Sequence, residues 1–250
     1  MGKSKLFLVP SNDPRSADVK SWFAGDRFQV VNKPSQADFL IVSSGDGGIL
    51  EAVPKYYMHG VPIIGINRGT RGFLLNPVDD AEQFERLLGK KLDIIPMQLL
   101  RATFVTRSGK EREFLVFNDA YVKAESGSVV EGVIRGEKYP EKIFRGDGII
   151  VATAQGSTAY NLSAGGSVQP LDSDHLSIRT ICASAGTQPI RNAINPQRLQ
   201  IDITKGKAIG HADTKRKKVI DVVRVVIEPS PFQVRLAFDP DIDFQAKRYL

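Results

Sequence analysis

Short apolar runs and amphipathic stretches alternate along the first hundred residues. Lys5-Leu6-Phe7-Leu8-Val9 predicts a strand, and Ser16 to Phe23 a short helix. Ala37 to Val42 predicts a second strand that ends in Ser43-Ser44-Gly45-Asp46-Gly47-Gly48. A helix is expected over Ile49 to Met58, with Pro54 either kinking it or delaying its start. Val61 to Ile66 predicts a third strand, closed by Asn67-Arg68-Gly69-Thr70-Arg71-Gly72-Phe73-Leu74. Asp79 to Leu88 reads as a further helix, with Asp79 or Asp80 as its N-cap. Strands alternating with helices imply a parallel sheet covered on both faces.

After Pro96 the pattern changes. Strand-like runs follow one another at Met97 to Thr106, Glu111 to Val122, Gly148 to Ala152, Leu176 to Ile181, Leu199 to Ile203, Val219 to Ile227 and Phe232 to Phe238. Helical periodicity is confined to a stretch around Thr158 to Leu162, and glycines and prolines punctuate the gaps. This predicts a β-rich second domain, with the boundary near residues 94–98.

Composition narrows the classes. The chain of 250 residues, 42% hydrophobic and 25% charged, has the make-up of an ordinary soluble globular protein. The single cysteine, Cys182, excludes an internal disulfide framework and a Cys-cluster zinc site. It reads as a core residue of an apolar strand in a protein of the reducing cytosol. His59, His175 and His211 show no metal-ligand spacing. No apolar run approaches the ~18 residues of a transmembrane helix. The expectation is a cytoplasmic chain with no membrane partner.

The net charge of +6 favours anionic partners, nucleotides as readily as nucleic acid. The densest basic cluster, Lys215-Arg216-Lys217-Lys218, reads as a solvated turn between strands. No aromatic residues interleave with it, so a nucleic-acid stacking surface is not expected.

Three glycine-rich loops, each after an apolar run, carry the candidate chemistry. Glycines at 45, 47 and 48 let backbone approach a phosphate, and a following helix N-terminus presents N–H groups. Asp46 inside such a loop is electrostatically awkward unless it meets a cation or a hydroxyl. The loop from Gly65 to Gly72 fails the dinucleotide pattern G-x-G-x-x-G because Asn67 occupies the second glycine position. The third, from Gly146 through Gly166, combines hydroxyls, backbone donors and Tyr160, features that suit a polyanion and a base or sugar. It holds no G-x-S-x-G elbow.

Together these segments resemble the NAD kinase family. The carrying residues are Ser44-Gly45-Asp46-Gly47, Asn67-Arg68-Gly69-Thr70-Arg71-Gly72-Phe73-Leu74, the pair Asn118-Asp119, and the block from Asp147 to Gly166. The resemblance implies a Rossmann-like α/β N-terminal domain with a β-sandwich-like second domain. The first is residues 1–97 joined by the C-terminal segment 232–250, the donor and catalytic part. The second, residues 98–231, is the β-rich NAD-binding part.

The implied reaction carries a phosphoryl group from ATP or polyphosphate to the adenosine ribose 2′-hydroxyl of NAD, giving NADP. Asp46 would accept the proton, and Gly45, Gly47 and Gly48 would cradle donor phosphates with Mg2+, or another divalent cation, carried by ATP. Asn118 and Asp119 would hold the ribose. Asn67, Phe73, Thr158, Ala159, Tyr160, Asn161, Leu162, Ser163, Ala183 and Thr214 would line the NAD site, with Phe73 near the adenine. Arg145 and Asp147 would lie towards the nicotinamide. Homodimers or homotetramers are implied.

The chain departs from the family pattern at Ser44, which stands where the first glycine of the signature is usual, and at Gly48, where a Thr or polar residue is usual. Arg71 replaces a usual Leu, and Ala212-Asp213-Thr214 stands in for a late Asp-Gly segment. The departures motivate an alternative, a non-catalytic NAD(P)-binding sensor with a degenerate donor site. Retention of Asp46 argues against that alternative. A related lipid kinase is disfavoured by Asn118-Asp119 and by Thr158-Ala159-Tyr160. His175 and the carboxylates Asp172 and Asp174 read as loop residues, and His211 as the histidine nearer a ligand.

Overall fold

The computed structural model describes residues 3–125 and 127–249, and only the backbone of residues 214–216. The chain divides into two compact units, Met1–Met97 with Phe232–Leu250, and Gln98–Pro231. The first unit opens with β1 (Lys5–Leu8), α1 (Val19–Trp22), β2 (Gln29–Val30), β3 (Phe39–Ser44), α2 (Asp46–Tyr56), β4 (Ile63–Asn67) and α3 (Ala81–Leu88). Strand β5 (Asp93–Thr106) leads into the second unit and is followed by β6 (Glu111–Val116), β7 (Asp119–Ala124), β8 (Val130–Gly136) and β9 (Lys142–Ala152). Then come α4 (Tyr160–Ser163), β10 (Leu176–Ala183), β11 (Arg191–Ile194), β12 (Leu199–Lys205), β13 (Ala208–Ala212) and β14 (Thr214–Val219). Strand β15 (Val222–Phe238) returns the chain to the first unit, which α5 (Phe244–Lys247) completes.

The first unit is a parallel sheet in the order β2-β1-β3-β4-β15. Its central strands are buried at Leu40, Ile41, Val42, Ile63, Ile64 and Ile66, the near-continuous apolar run of a sheet covered on both faces. Phe23, Phe28 and Phe84 pack ring against ring at 5.2–5.5 Å and anchor α1 and α3 to one face. Asp80 caps α3 by accepting from the Gln83 N–H at 2.8 Å. The strand order reverses between β1 and β3, the position at which open α/β sheets bind ligands beyond their carboxyl ends.

The second unit is antiparallel. Strand β9 pairs with β7 and β8 on one path and with β10 on another. Phe104, Phe144, Val151, Ile178 and Leu199 belong to one continuous core there.

Several expectations need correction. Helix α2 starts at Asp46 rather than Ile49, with Gly45 as its N-cap, and Pro54 sits in its last turn before a 3-10 turn at Tyr57–His59. The region from Ser16 to Phe23 is a 3-10 turn, Pro14–Ser16, followed by the single-turn α1. The run from Glu111 to Val122 is two strands, broken at Phe117-Asn118. The run from Val219 to Ile227 is also broken, at Ile220-Asp221 after β14 ends, and its remainder from Val222 joins the run from Phe232 in the one strand β15. Residues 215–218 are strand, not turn, in β14 at the edge of its sheet, where lysines discourage further pairing. The side chains of Lys215 and Arg216 lie outside the described part. Cys182 is exposed rather than core: the backbone turns to φ +44° there, and its side chain leaves the face on which Ile178 and Thr180 are buried. Among the described residues no helix is long and apolar enough to cross a membrane.

Candidate functional site

In the first unit the chain leaves β3 at Ser44 and begins α2 at once, so Asp46 stands in the helix's first turn, where a carboxylate complements the helix dipole. Both carboxylate oxygens are held. Oδ2 accepts from the Phe73 N–H at 3.1 Å, and Oδ1 from the Leu74 N–H at 2.9 Å. The loop supplying these donors is itself fixed. Asn67 Oδ1 accepts from the Gly69 N–H at 2.9 Å. Gly72 takes φ +59°, and a Cβ there would fall 2.4 Å from Asn67 Cγ, so only glycine fits. Oδ1 of Asn67 is therefore engaged by the loop, and Phe73, half-buried, contributes its backbone to Asp46.

Lys247, on α5, donates to the Gly72 carbonyl at 2.7 Å. The loop thus turns carbonyl oxygen to a lysine and N–H groups to Asp46. Burial holds the Lys247 ammonium below its usual range, and the Asp46 charge works against that shift. Arg248 is deeper still, pushed down to about 10 by burial, with Tyr249 and Asp46 opposing. Neither cation was anticipated from the sequence. They are ordinary tail charges until the fold carries the tail back to Asp46.

In the second unit, Asn118 and Asp119 enter β7 through a joint made by Asp213. Asp213 adopts φ +55°, and its carboxylate accepts from the Phe117 N–H at 2.9 Å and the Asn118 N–H at 2.7 Å. Its own N–H donates to the Asp119 carbonyl at 2.8 Å, and Lys217 stands 3.4 Å from the carboxylate. Asn118 Oδ1 is buried with no hydrogen-bond partner. Asp119 is 2% exposed, and burial first, then the charge of Asp213, raises its pKa well above the ordinary range. Tyr121, two residues on, stacks on His211 at 4.8 Å and meets Tyr160 edge-on at 4.8 Å. Burial, with Asp119 and Tyr160 adding, pushes its phenol up to about 12. Tyr121 was missed because it reads as one more strand residue.

The third glycine-rich loop packs directly on this joint. A Cβ on Gly156 would lie 2.2 Å from the Asn118 carbonyl oxygen. Gly156→Ala should therefore displace Asn118 and cost about 1–3 kcal/mol by overpacking. Thermal unfolding and NAD titration check this, and an unchanged melting temperature with unchanged NAD binding would refute it.

Asn161 is fully buried and engaged internally. Its amide donates to the Ser157 carbonyl at 3.2 Å, and its Oδ1 accepts from Ser177 Oγ at 2.8 Å. Thr158, Ala159 and Tyr160 are half-buried, whereas Leu162 and Ser163 are exposed. Arg145 and Asp147 occupy outward positions of β9 and line, with Tyr160, Lys123 and Lys205, a groove of about 990 Å³. Arg145 pairs there with Glu131 at 3.2 Å. Ala183 is half-buried opposite Gly146. The side chain of Thr214 lies outside the described part.

A parallel unit with a glycine-flanked carboxylate beyond its sheet, followed by an antiparallel unit with buried paired carboxylates, defines an α/β-plus-β protein with fixed acidic groups in both units. The family model of the ATP-NAD kinase N-terminal domain matches residues 14–93, and that of the ATP-NAD kinase C-terminal domain matches residues 117–236. An NAD kinase of Clostridium botulinum (strain Loch Maree / Type A3) is 32% identical over 246 residues, covering 96% of this chain and 86% of that protein. An NAD kinase of Wolinella succinogenes is 36% identical over 173 residues, 68% of this chain and 58% of that protein. The crystal structure of an NAD kinase from Archaeoglobus fulgidus in complex with ATP shares the fold at TM-score 0.75 and 24% identity, covering 98% of both chains. Yeast NADH kinase complexed with NADH shares it at TM-score 0.76 and 15% identity, over 98% of this chain and 86% of that one. The chain belongs to the NAD kinase family, phosphotransferases with an alcohol group as acceptor.

Proposed function

We propose that the chain transfers a phosphoryl group from ATP, or from polyphosphate, to the 2′-hydroxyl of the adenosine ribose of NAD, giving NADP. The observation that carries this reading is Asp46, seated at the end of a parallel strand with both oxygens fixed by backbone N–H groups. In the reaction the ribose oxygen forms a bond to the γ-phosphorus, the bond to the bridging oxygen breaks, and ADP leaves. The hydroxyl proton goes to Asp46. A carboxylate is far too weak a base to remove a sugar hydroxyl's proton beforehand. It is taken late, and the rate comes mainly from alignment and from neutralising charge on the phosphoryl group. A carboxylate whose plane is set by two N–H groups suits that task.

In this reading Asn118 and Asp119 hold the ribose. A buried acceptor without a partner costs about 1–3 kcal/mol, and a sugar hydroxyl would supply the donor that Asn118 Oδ1 lacks. Thr158, Ala159 and Tyr160 would line the NAD pocket, with Arg145 and Asp147 at its nicotinamide side. Gly45, Gly47 and Gly48 would take donor phosphates.

Among the described residues no group of three or more His, Cys, Asp or Glu could cage a metal ion. In this reading a divalent ion arrives on the nucleotide, held by its phosphates, and Asp46 is left to take the proton. Such an ion supplies charge neutralisation at the phosphates.

The sensor alternative draws on Ser44 and Gly48 alone, whereas a pure binder has no use for so fixed an Asp46. The test is purified protein with NAD, magnesium and ATP or polyphosphate, monitored for NADP. Formation of NADP is expected. Retained NAD binding without NADP from any donor would replace the kinase with the sensor.

A further inference from the structure

The departures at Ser44 and Gly48 are one exchange, not two losses. A Cβ on Gly48 would lie 2.4 Å from Ser44 Cβ and 2.8 Å from Ser44 Oγ. A side chain fits at one position or the other, so a serine at 44 requires a glycine at 48. The serine is also put to use. Its Oγ donates to Asp13 Oδ2 at 3.0 Å, and that carboxylate grips Arg15 along one edge, Nε to Oδ1 at 2.9 Å and Nη2 to Oδ2 at 2.7 Å. The Arg15 N–H caps the same carboxylate at 3.0 Å. Two short polar links thus fix an arginine whose side chain is still 56% exposed.

The place it is fixed matters. Arg15 follows β1, and Ser44 ends β3, the two strands between which the order of the parallel sheet reverses. Arg15 Nη2 lies 3.7 Å from the point where a Gly45 Cβ would stand, and Nη1 3.9 Å from that of Gly69. The guanidinium therefore rests against bare backbone of two loops, the one carrying Asp46 and the one from Asn67 to Leu74. Asp13 takes the Nε hydrogen and one Nη2 hydrogen. The opposite edge keeps three N–H donors for a planar or tetrahedral oxyanion.

We propose that Arg15, bracketed by Asp13 and Ser44, is the cation that receives the phosphates of the phosphoryl donor. The inference rests on the kinase reading above and adds a residue that the glycine signature does not contain. An exposed Asp–Arg pair with no ligand contributes little to stability, so the bland alternative predicts silence on removal. Lysine cannot replace the forked donor geometry.

The experiment measures ATP binding by equilibrium titration, and steady-state kinetics with ATP and with polyphosphate, for the parent, Arg15→Ala, Arg15→Lys and Ser44→Ala. Expected are a rise of about tenfold or more in Kd and KM for ATP with Arg15→Ala, partial recovery with Arg15→Lys, and a smaller rise with Ser44→Ala. NAD KM should stay within about twofold. Polyphosphate KM should rise alongside that of ATP, because the contact is to phosphate and not to the base. The double variant Ser44→Gly/Gly48→Thr should fold with the parent's melting temperature, whereas Gly48→Thr alone should lose several degrees. Unchanged ATP Kd in Arg15→Ala overturns the assignment, as does an NAD KM that rises as much as the ATP KM. Absence of NADP from every donor in the parent would instead sink the kinase reading, while the ATP titration still reads Arg15.

Discussion

Asp46→Asn is expected to lower kcat by about 10²–10⁴-fold, the usual contribution of a positioned proton acceptor, and to leave NAD affinity within a few-fold. Two effects combine in this substitution. The amide cannot accept the ribose proton. It also places an NH2 against one of the two backbone N–H groups, of Phe73 or Leu74, that now donate to carboxylate oxygens. One of those bonds must break, so the side chain rotates away from the alignment that supplies most of the rate. NAD affinity should hold because the residues proposed to grip NAD are set within the second unit, by Asp213, Thr153 and Gly156. Stopped-time assays for NADP with equilibrium NAD titration check both halves. A variant as fast as its parent removes Asp46 from the chemistry.

The parts of the fold and site that were readable from the chain share a physical property: their cause is local. Strands β3 and β4 announce themselves because a sheet covered on both sides demands unbroken apolar runs. The helix at Ala81–Leu88 carries its own cap in Asp80. Gly45-Asp46-Gly47 is conspicuous because a carboxylate among glycines needs a reason, and membership of the NAD kinase family agrees with the resemblance those loops carry. What escaped notice has a distant cause. The break between β6 and β7 cannot be seen in the apolar run it interrupts, since the carboxylate of Asp213 imposes it from 95 residues away. Helix α2 starts early because the loop at Phe73–Leu74 holds Asp46 in its first turn. Lys247 and Arg248 look like solubilising tail charges, and Ser44 with Gly48 looks like decay, until the space the two positions share is measured.

Asp119→Asn should make the protein more stable and worse at holding NAD. Burial and the neighbouring Asp213 raise the Asp119 pKa in the folded chain, whereas the unfolded chain titrates near the ordinary value of about 3.9. The folded state therefore binds the proton more tightly. The stability this contributes is fully present below about pH 4, and it is lost as pH rises through the folded-state value. As pH rises above about 4 the parent bears a growing cost of keeping this carboxyl group buried beside a second one. An amide carries no such charge. Each pK unit of the shift is worth about 1.4 kcal/mol, and each kcal/mol moves the melting temperature of a chain this size by about 2–4 °C. The melting temperature of the variant should thus exceed the parent's at pH 7–8, with the gap closing towards pH 4. Over the same change NAD affinity should fall about 10- to 100-fold, the effect of losing a charged hydrogen bond of about 1.5–3 kcal/mol. Tyr121 offers an independent readout: its phenol, held up in part by the Asp119 charge, should titrate lower in the variant. A stability gap that ignores pH would show that Asp119 is not strained as described. Unchanged NAD affinity would remove it from the ribose. A carboxyl group that is buried beside a second one, and that loses stability when it ionises, is the pattern expected of a ligand-holding group placed in a buried joint.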